Sequence, residues 1–233
     1  IEWKNSLDRK PLVLKGARQV GKTWLMKEFG KTHYKNYVYF NFDEEDALKS
    51  IFESNKNPQR IIDLLSFIAD EKIVPNETLI IFDEIQECPN ALNSLKYFKE
   101  KANTYHVIAA GSLLGTLLSQ PKSYPVGMVN ILNIYPLTFD EFLEATEPTL
   151  SKYYSSIIKE QNIEEIFHNK LLDAYNYYLI VGGMPECVYS WITYKDPKKV
   201  SKIQNELITI YENDFSKHNG KVNSGRILMV FRS

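Results

Sequence analysis

The chain is poor in cysteine, in net charge and in long apolar runs, and each shortage removes a class of protein. Cys88 and Cys187 are its two cysteines among 233 residues, and neither lies in a Cys-x-x-Cys pair or a Cys/His cluster. That excludes a disulfide framework and leaves two ordinary thiols in a reducing compartment. His33, His106, His168 and His218 are scattered without metal-ligand spacing, so no zinc site is expected. A formal net charge of −1 and a pI of about 6.5 argue against a chain-wide electrostatic grip on nucleic acid. No apolar run reaches the ~18 residues of a membrane span. The start "IEWKNSLDRK" lacks the basic-then-apolar layout of a secretory leader. A cytoplasmic protein without a membrane partner is therefore expected.

What is present is ordinary globular material, 44% hydrophobic and 24% charged, enough for one large domain or two modest ones. The first residue is isoleucine, and "GRILMVFRS" ends inside an apolar periodic segment with no capping or turn residues. We expect a fragment of a longer chain.

Strand and helix patterns alternate through the first half. "PLVLKG" (11–16), "NYVYFNFD" (36–43), "ETLIIFDEI" (77–85), "YHVIAAGS" (105–112) and "MVNILNIYPL" (128–137) read as strands. Between them, "WLMKEFG" (24–30, with a glycine stop), "ALKSIFES", "PQRIIDLLSFIADE" (58–71) and "PNALNSLKYFKEK" (89–101) read as helices. Five strands with helical crossovers predict an α/β fold, a parallel sheet covered on both faces. After residue 138 the strand pattern stops and the remainder reads as helical.

Directly after the first strand stands "GARQVGKT", a match to Gly-x-x-x-x-Gly-Lys-Ser/Thr. With glycine near 7% of residues, chance supplies this match on the order of once in a hundred chains of such length. Its placement between a strand and a helix adds far more weight. Such a loop wraps backbone N–H groups around phosphates, with the following helix's positive end aimed the same way. Residues 16–24 form the expected nucleotide cradle: Gly16, Ala17, Arg18, Gln19, Val20, Gly21, Lys22, Thr23 and Trp24. Gly16 and Gly21 allow the turn and the close backbone approach. Lys22 reaches the β- and γ-phosphates, and the Thr23 hydroxyl ligates Mg²⁺. Arg18 is read either as a contact to nucleotide or a neighbour, or as plain solvent-exposed surface.

A phosphate loop needs a carboxylate for its metal at the end of a buried neighbouring strand. "LIIFDE" supplies Asp83 for Mg²⁺ and Glu84 as the base that polarises water. Help of that kind typically contributes ~10²–10⁴-fold. Weaker signals follow. Ser112, at the end of "AAGS", is read as a sensor of the γ-phosphate or as a helix cap. "GGMPE" (182–186) is read either as a linker between helices or as the segment that sets Pro185 against adenine. "YNYYLI" before it reads as core packing, and "DPKKVSK" as a solvated helix start.

"GARQVGKT", "LIIFDEIQ", "AAGSLLG", "YPLTFDEFL" and "GGMPE", in this order, resemble the bacterial and archaeal AAA-family ATPases that carry a DUF4143-type C-terminal region, relatives of AAA+ and STAND switches. The resemblance runs over roughly residues 10–230. It implies a P-loop core at 1–138 of the ASCE type and a helical lid at 139–215. From 216 to 233 it implies the start of a truncated winged-helix or C-terminal region. It implies ATP or ADP and Mg²⁺ as cofactors, with Gly16, Gly21, Lys22 and Thr23 as Walker A and Asp83 and Glu84 as Walker B. It also places Ser112 at sensor 1 and "GGMPE" at the Gly-x-Pro motif of STAND lids. Two departures stand out: serine replaces the usual sensor-1 asparagine, and no arginine holds an assured finger or sensor-2 position. Arg60 and Arg226 are the distant candidates. Three functions are carried forward: an ATPase, a slow nucleotide switch, and a DNA-associated motor or nuclease regulator. An unidentified protein partner is expected, a homo-oligomer is compatible, and the near-neutral charge does not favour DNA.

Overall fold

Five short strands join into one sheet: β1 (Leu12–Lys15), β2 (Asn36–Asn41), β3 (Thr78–Asp83), β4 (His106–Gly111) and β5 (Asn130–Asn133). Their order is β2-β3-β4-β1-β5, and every neighbouring pair is parallel. A computed structural model describes residues 1–111, 127–157, 162–218, 225–227 and 229–231. The chain divides into two units, Ile1–Tyr135 and Pro136–Ser233. The α/β fold read from the sequence is what the first unit shows.

Parallel strands require crossovers, and right-handed crossovers in two directions place helices on both faces. On one face Val13, Val38, Phe40, Ile80, Phe82, Val107 and Ala109 pack with α3 (Asp46–Ser54), α4 (Pro58–Ala69) and α5 (Pro89–Lys101). On the other, Leu12, Leu14, Leu79, Ile81, Ile108 and Ala110 pack with Met26 of α2 (Lys22–His33). All six residues of β3 and of β4 are buried, which is why these two segments read as unbroken apolar runs rather than alternating ones. A one-turn helix, α1 (Glu2–Asn5), precedes β1, and its Trp3 indole donates to the Lys10 carbonyl at 2.7 Å.

Local chemistry explains most boundaries. Asn57 caps α4 by accepting from the Gln59 amide at 3.0 Å, and Asp70 ends the helix in the left-handed region. The stop expected at Gly30 is wrong, because α2 continues to His33. Gly30 is buried within the helix instead, and a Cβ there would stand 2.8 Å from the Cβ of Tyr37. Glycine at this point lets the helix approach the strand. β5 is shorter than its ten-residue pattern, and all four of its residues are exposed.

The second unit holds α6 (Phe139–Thr146), α7 (Pro148–Ser155), α8 (Glu165–Val181), α9 (Pro185–Tyr194) and α10 (Pro197–His218), with no strand among its described residues. A capping box of Thr138 and Glu141 opens α6. Phe142, Val181, Cys187, Val188, Trp191, Val200 and Leu207 form its main core. "PLT" (136–138) and "GGMPE" meet inside this unit. The Leu137 amide donates to the Gly183 carbonyl at 2.7 Å, and the Tyr178 hydroxyl donates to the Leu137 carbonyl at 2.9 Å. The "YNYYLI" segment is less buried than its composition suggests. Tyr178 packs against the core, whereas Tyr175, Tyr177, Leu179 and Ile180 are exposed. Lys198 and Lys199 open α10 on its solvated side, as the basic run implied.

Candidate functional site

The loop between β1 and α2 turns on two left-handed residues, Gln19 (φ 63°) and Gly21 (φ 90°). Glycine has no Cβ to oppose that conformation, whereas glutamine bears a local cost there. Gly16 has a different task. A Cβ on it would lie 2.3 Å from the Ile134 carbonyl oxygen and 3.1 Å from Val20 Cγ2. The first glycine of the motif therefore allows the loop to pass against the backbone after β5, and the second makes the turn. Buried Val20 anchors the loop from inside.

Lys22 and Thr23 are the first two residues of α2, so the side chains and the helix's free N–H groups share one end. Lys22 is 7% exposed, and its ammonium donates to the carbonyls of Gly16 (2.9 Å) and Ala17 (2.7 Å). Burial pushes its pKa down; Glu84 and Asp83 pull it back up, and Arg18 opposes them. The ammonium is thus held across the mouth of the loop by groups that an anion can replace.

Asp83 ends β3 and is 3% exposed. A carboxylate at that depth needs donors, and among the described residues it has three. Thr23 Oγ1 donates to Oδ2 at 2.6 Å, Tyr39 OH donates to the same oxygen at 3.0 Å, and the Glu84 amide donates to Oδ1 at 3.0 Å. The loop at 16–23 and the acidic pair sixty residues later are one site. Glu84 follows in the left-handed region (φ 48°), and its Oε2 accepts from Gln86 Nε2. Among the described residues, Gln86 Oε1 is buried and has no hydrogen-bond partner.

Arg18, Gln19, Gly21, Lys22, Thr23, Trp24 and Glu84 line an open cavity of about 400 Å³, within the range of small-molecule sites. Trp24 is 68% exposed at its rim. A separate apolar cavity of about 210 Å³ is lined by Trp3, Leu14, Leu25, Phe29 and Leu132 among others. A larger hollow of about 870 Å³ opens where β3 and β4 begin, lined by Asn55, Tyr97, Lys101 and Tyr105 among others. It lacks the phosphate loop and the carboxylate pair.

The other expected positions fall elsewhere. Ser112 lies outside the described residues. Pro185 is the first residue of α9 in the second unit and is half-buried. Arg60 donates to the Ile51 and Asn55 carbonyls, tying α4 to the end of α3. Arg226 is exposed in the second unit. Tyr39 is the residue that the sequence reading missed. Its signal was alternation: Val38 and Phe40 are buried on one face of β2, which sends Tyr39 to the face of Ile81 and Asp83.

The donor set suits a hard cation. A hydroxyl and a carboxylate, both oxygen, stand together next to the glycine-bearing loop at the start of α2, a donor chemistry that Mg²⁺ accepts. Among the described residues no cluster of three His, Cys, Asp or Glu side chains forms a separate metal centre, and no helix is long and apolar enough to cross a membrane.

A family model described as "AAA domain" matches residues 8–143, and a "domain of unknown function (DUF8612)" matches residues 172–233. No curated protein matches the chain. Among solved structures, the chain is similar to the Walker-type ATPase of Pyrococcus abyssi. That match has a TM-score of 0.54 and 15% identity, over 99% of this chain and 73% of that one. Two weaker likenesses are to C. elegans PCH-2 (TM-score 0.44, 14% identity, 83% of this chain and 56% of that one) and to Drosophila ORC bound to DNA (0.46, 14%, 97% and 72%). The first supports a shared fold; the other two are too distant to argue from.

Proposed function

The chain belongs to the AAA-domain family, and on that premise we propose that it binds ATP with Mg²⁺ and hydrolyses it. The observation that carries this reading is the 2.6 Å hydrogen bond from Thr23 to Asp83, which joins the phosphate loop to the acidic strand end. Gly16 to Trp24 form the cradle. The backbone N–H groups of the loop and the start of α2 face the phosphates. Lys22 exchanges the Gly16 and Ala17 carbonyls for phosphate oxygens. Thr23 and Asp83 hold Mg²⁺, which supplies neutralisation of the charge developing on the transferred phosphoryl group. Glu84 orients water and accepts its proton, and Ser112 senses the γ-phosphate.

We read 139–215 as a helical lid whose position follows nucleotide state, with Pro185 against the base. Residues 216–233 are read as the start of a winged-helix-like region leading to an effector. DUF4143 has no support from the family models that match, since the C-terminal model is DUF8612. A cytoplasmic setting and a protein partner, another copy included, belong to the same proposal.

One observation favours a second reading, a slow nucleotide switch. Gln86 holds the Glu84 carboxylate, which withdraws the base from water until something displaces the amide. Turnover separates the two. Wild-type protein with Mg-ATP should release phosphate faster than Glu84→Gln, while the variant retains nucleotide. Tight binding with no release above that control leaves the switch. Lys22→Ala should weaken ATP binding under either reading, and unchanged affinity would refute both.

A further inference from the structure

The side chains around Asp83 include one that the ATPase reading does not require. Tyr39, on β2, donates its hydroxyl to Asp83 Oδ2, the oxygen that also accepts from Thr23. The Tyr39 ring is fixed as well: Lys27 Nζ lies 3.6 Å from the ring centroid. Thr23 and Lys27 are one helical turn apart on α2, so the same face of the helix grips both members of the pair. Neighbouring strands and a helix thus converge on one carboxylate oxygen.

We propose that Tyr39 is a positioning residue for the metal site, fixing the Asp83 carboxylate so that Thr23 and Asp83 are arranged for Mg²⁺ before nucleotide arrives. This rests on the reading of Thr23 and Asp83 as the Mg²⁺ residues. Without the phenol, Oδ2 keeps the Thr23 donor alone, and the carboxylate gains freedom to rotate. Thr23 alone must then hold Oδ2 as the Thr23 oxygen turns a lone pair toward the metal, while the Glu84 amide keeps Oδ1. Partners that orient metal-binding side chains commonly govern 10–100-fold in metal affinity. Two other donors remain on Asp83, so an effect of about 3–10-fold is expected here.

The test is Tyr39→Phe, which keeps the ring beneath Lys27 and removes only the hydroxyl. Binding of a fluorescent, non-hydrolysable ATP analogue is titrated across Mg²⁺ concentrations and again in excess EDTA. The proposal expects half-maximal Mg²⁺ to rise about 3–10-fold while affinity in EDTA stays within about twofold of wild type. In an Asp83→Asn background, Tyr39→Phe should add nothing. An unchanged Mg²⁺ dependence overturns the proposal. So does an equal loss with and without Mg²⁺, which marks a purely structural tyrosine; the urea midpoint measured alongside identifies that case. A full effect of Tyr39→Phe in the Asp83→Asn background also overturns it. If wild type binds the analogue but ignores Mg²⁺, the metal assignment fails and takes this proposal with it. Absence of analogue binding by wild type refutes the nucleotide reading itself.

Discussion

Replacing Gly16 with alanine puts a methyl group where there is no room for one. The new Cβ would lie 2.3 Å from the Ile134 carbonyl oxygen, 0.7 Å inside the 3.0 Å that Cβ atoms respect. The obstacle is backbone, so no side-chain rotation relieves it. Relief requires that the loop move away from the segment after β5. The hydrogen bond from the Ile134 amide to the Lys15 carbonyl, 2.7 Å long, stands beside the clash and is strained by any such movement. Overpacking of this kind costs about 1–3 kcal/mol, and the weakened hydrogen bond adds about 0.5–1.5 kcal/mol. Their sum, roughly 2–4 kcal/mol, corresponds to a fall in Tm of about 6–12 °C at about 3 °C per kcal/mol. The assay is thermal and urea unfolding of the full chain, followed by tryptophan fluorescence and circular dichroism. Nucleotide affinity, measured on the same samples at low temperature, should fall too, because the cradle moves with the clash. A melting shift below about 2 °C would refute this account of Gly16.

Other sites give sharper yes-or-no outcomes. Gly183→Ala would place a Cβ 2.1 Å from the Leu137 carbonyl oxygen and disrupt the Leu137–Gly183 hydrogen bond. Urea unfolding should show a loss of about 2–4 kcal/mol, with Walker-loop nucleotide affinity changed less than by Gly16→Ala. Gln86→Ala removes the donor to Glu84. If the amide restrains the base, single-turnover hydrolysis at saturating Mg-ATP should rise about 3–10-fold, a fraction of what general-base help contributes; a fall would make Gln86 a support for catalysis instead. His106 accepts from the Tyr34 hydroxyl at Nδ1 (2.7 Å) and donates from Nε2 to Asn76 (3.3 Å), an arrangement that fits the neutral ring. Burial, with Arg9 and Lys4 nearby, lowers its pKa to about 4. The unfolded chain then takes up the proton first, so stability falls as pH drops from about 6.5 toward 4. Denaturant titrations should lose about 1–2 kcal/mol between pH 7 and 5, and His106→Gln should remove that slope.

The sequence revealed what is written in runs and spacings. β3 and β4 are buried on both faces, so their apolar runs were unambiguous, and α5 occupies the same thirteen residues as its pattern. The loop between β1 and α2 was legible because its turn and its close backbone approach demand glycines at fixed positions. What the glycines do was legible only in part. The eight-letter motif gives Gly16 and Gly21 equal standing, yet one relieves a contact with a segment 118 residues away and the other bears a positive φ. Gly30 misled for the same reason. A glycine signals either a helix stop or a close approach, and the partner that decides, Tyr37, sits on a different element.

Tyr39 shows where local reading ends and tertiary structure begins. Within "NYVYFN" it is one aromatic residue among several, and strand propensity accounts for it fully. Its role appears once β2 is aligned with β3, Asn41 opposite Asp83, which brings a residue two positions earlier onto the face of the carboxylate. The same holds for "YPLT" and "GGMPE". As separate motifs they read as the end of the strand pattern and as a linker or an adenine-facing segment, but Gly183 lacks a side chain because Leu137 occupies that space. A mutation in either segment should therefore act on the other. Residues that touch across elements carry no mark in their own neighbourhood, and they are where the chain's remaining specificity lies: Tyr39 on Asp83 in one unit, and Gly183 on Leu137 in the other.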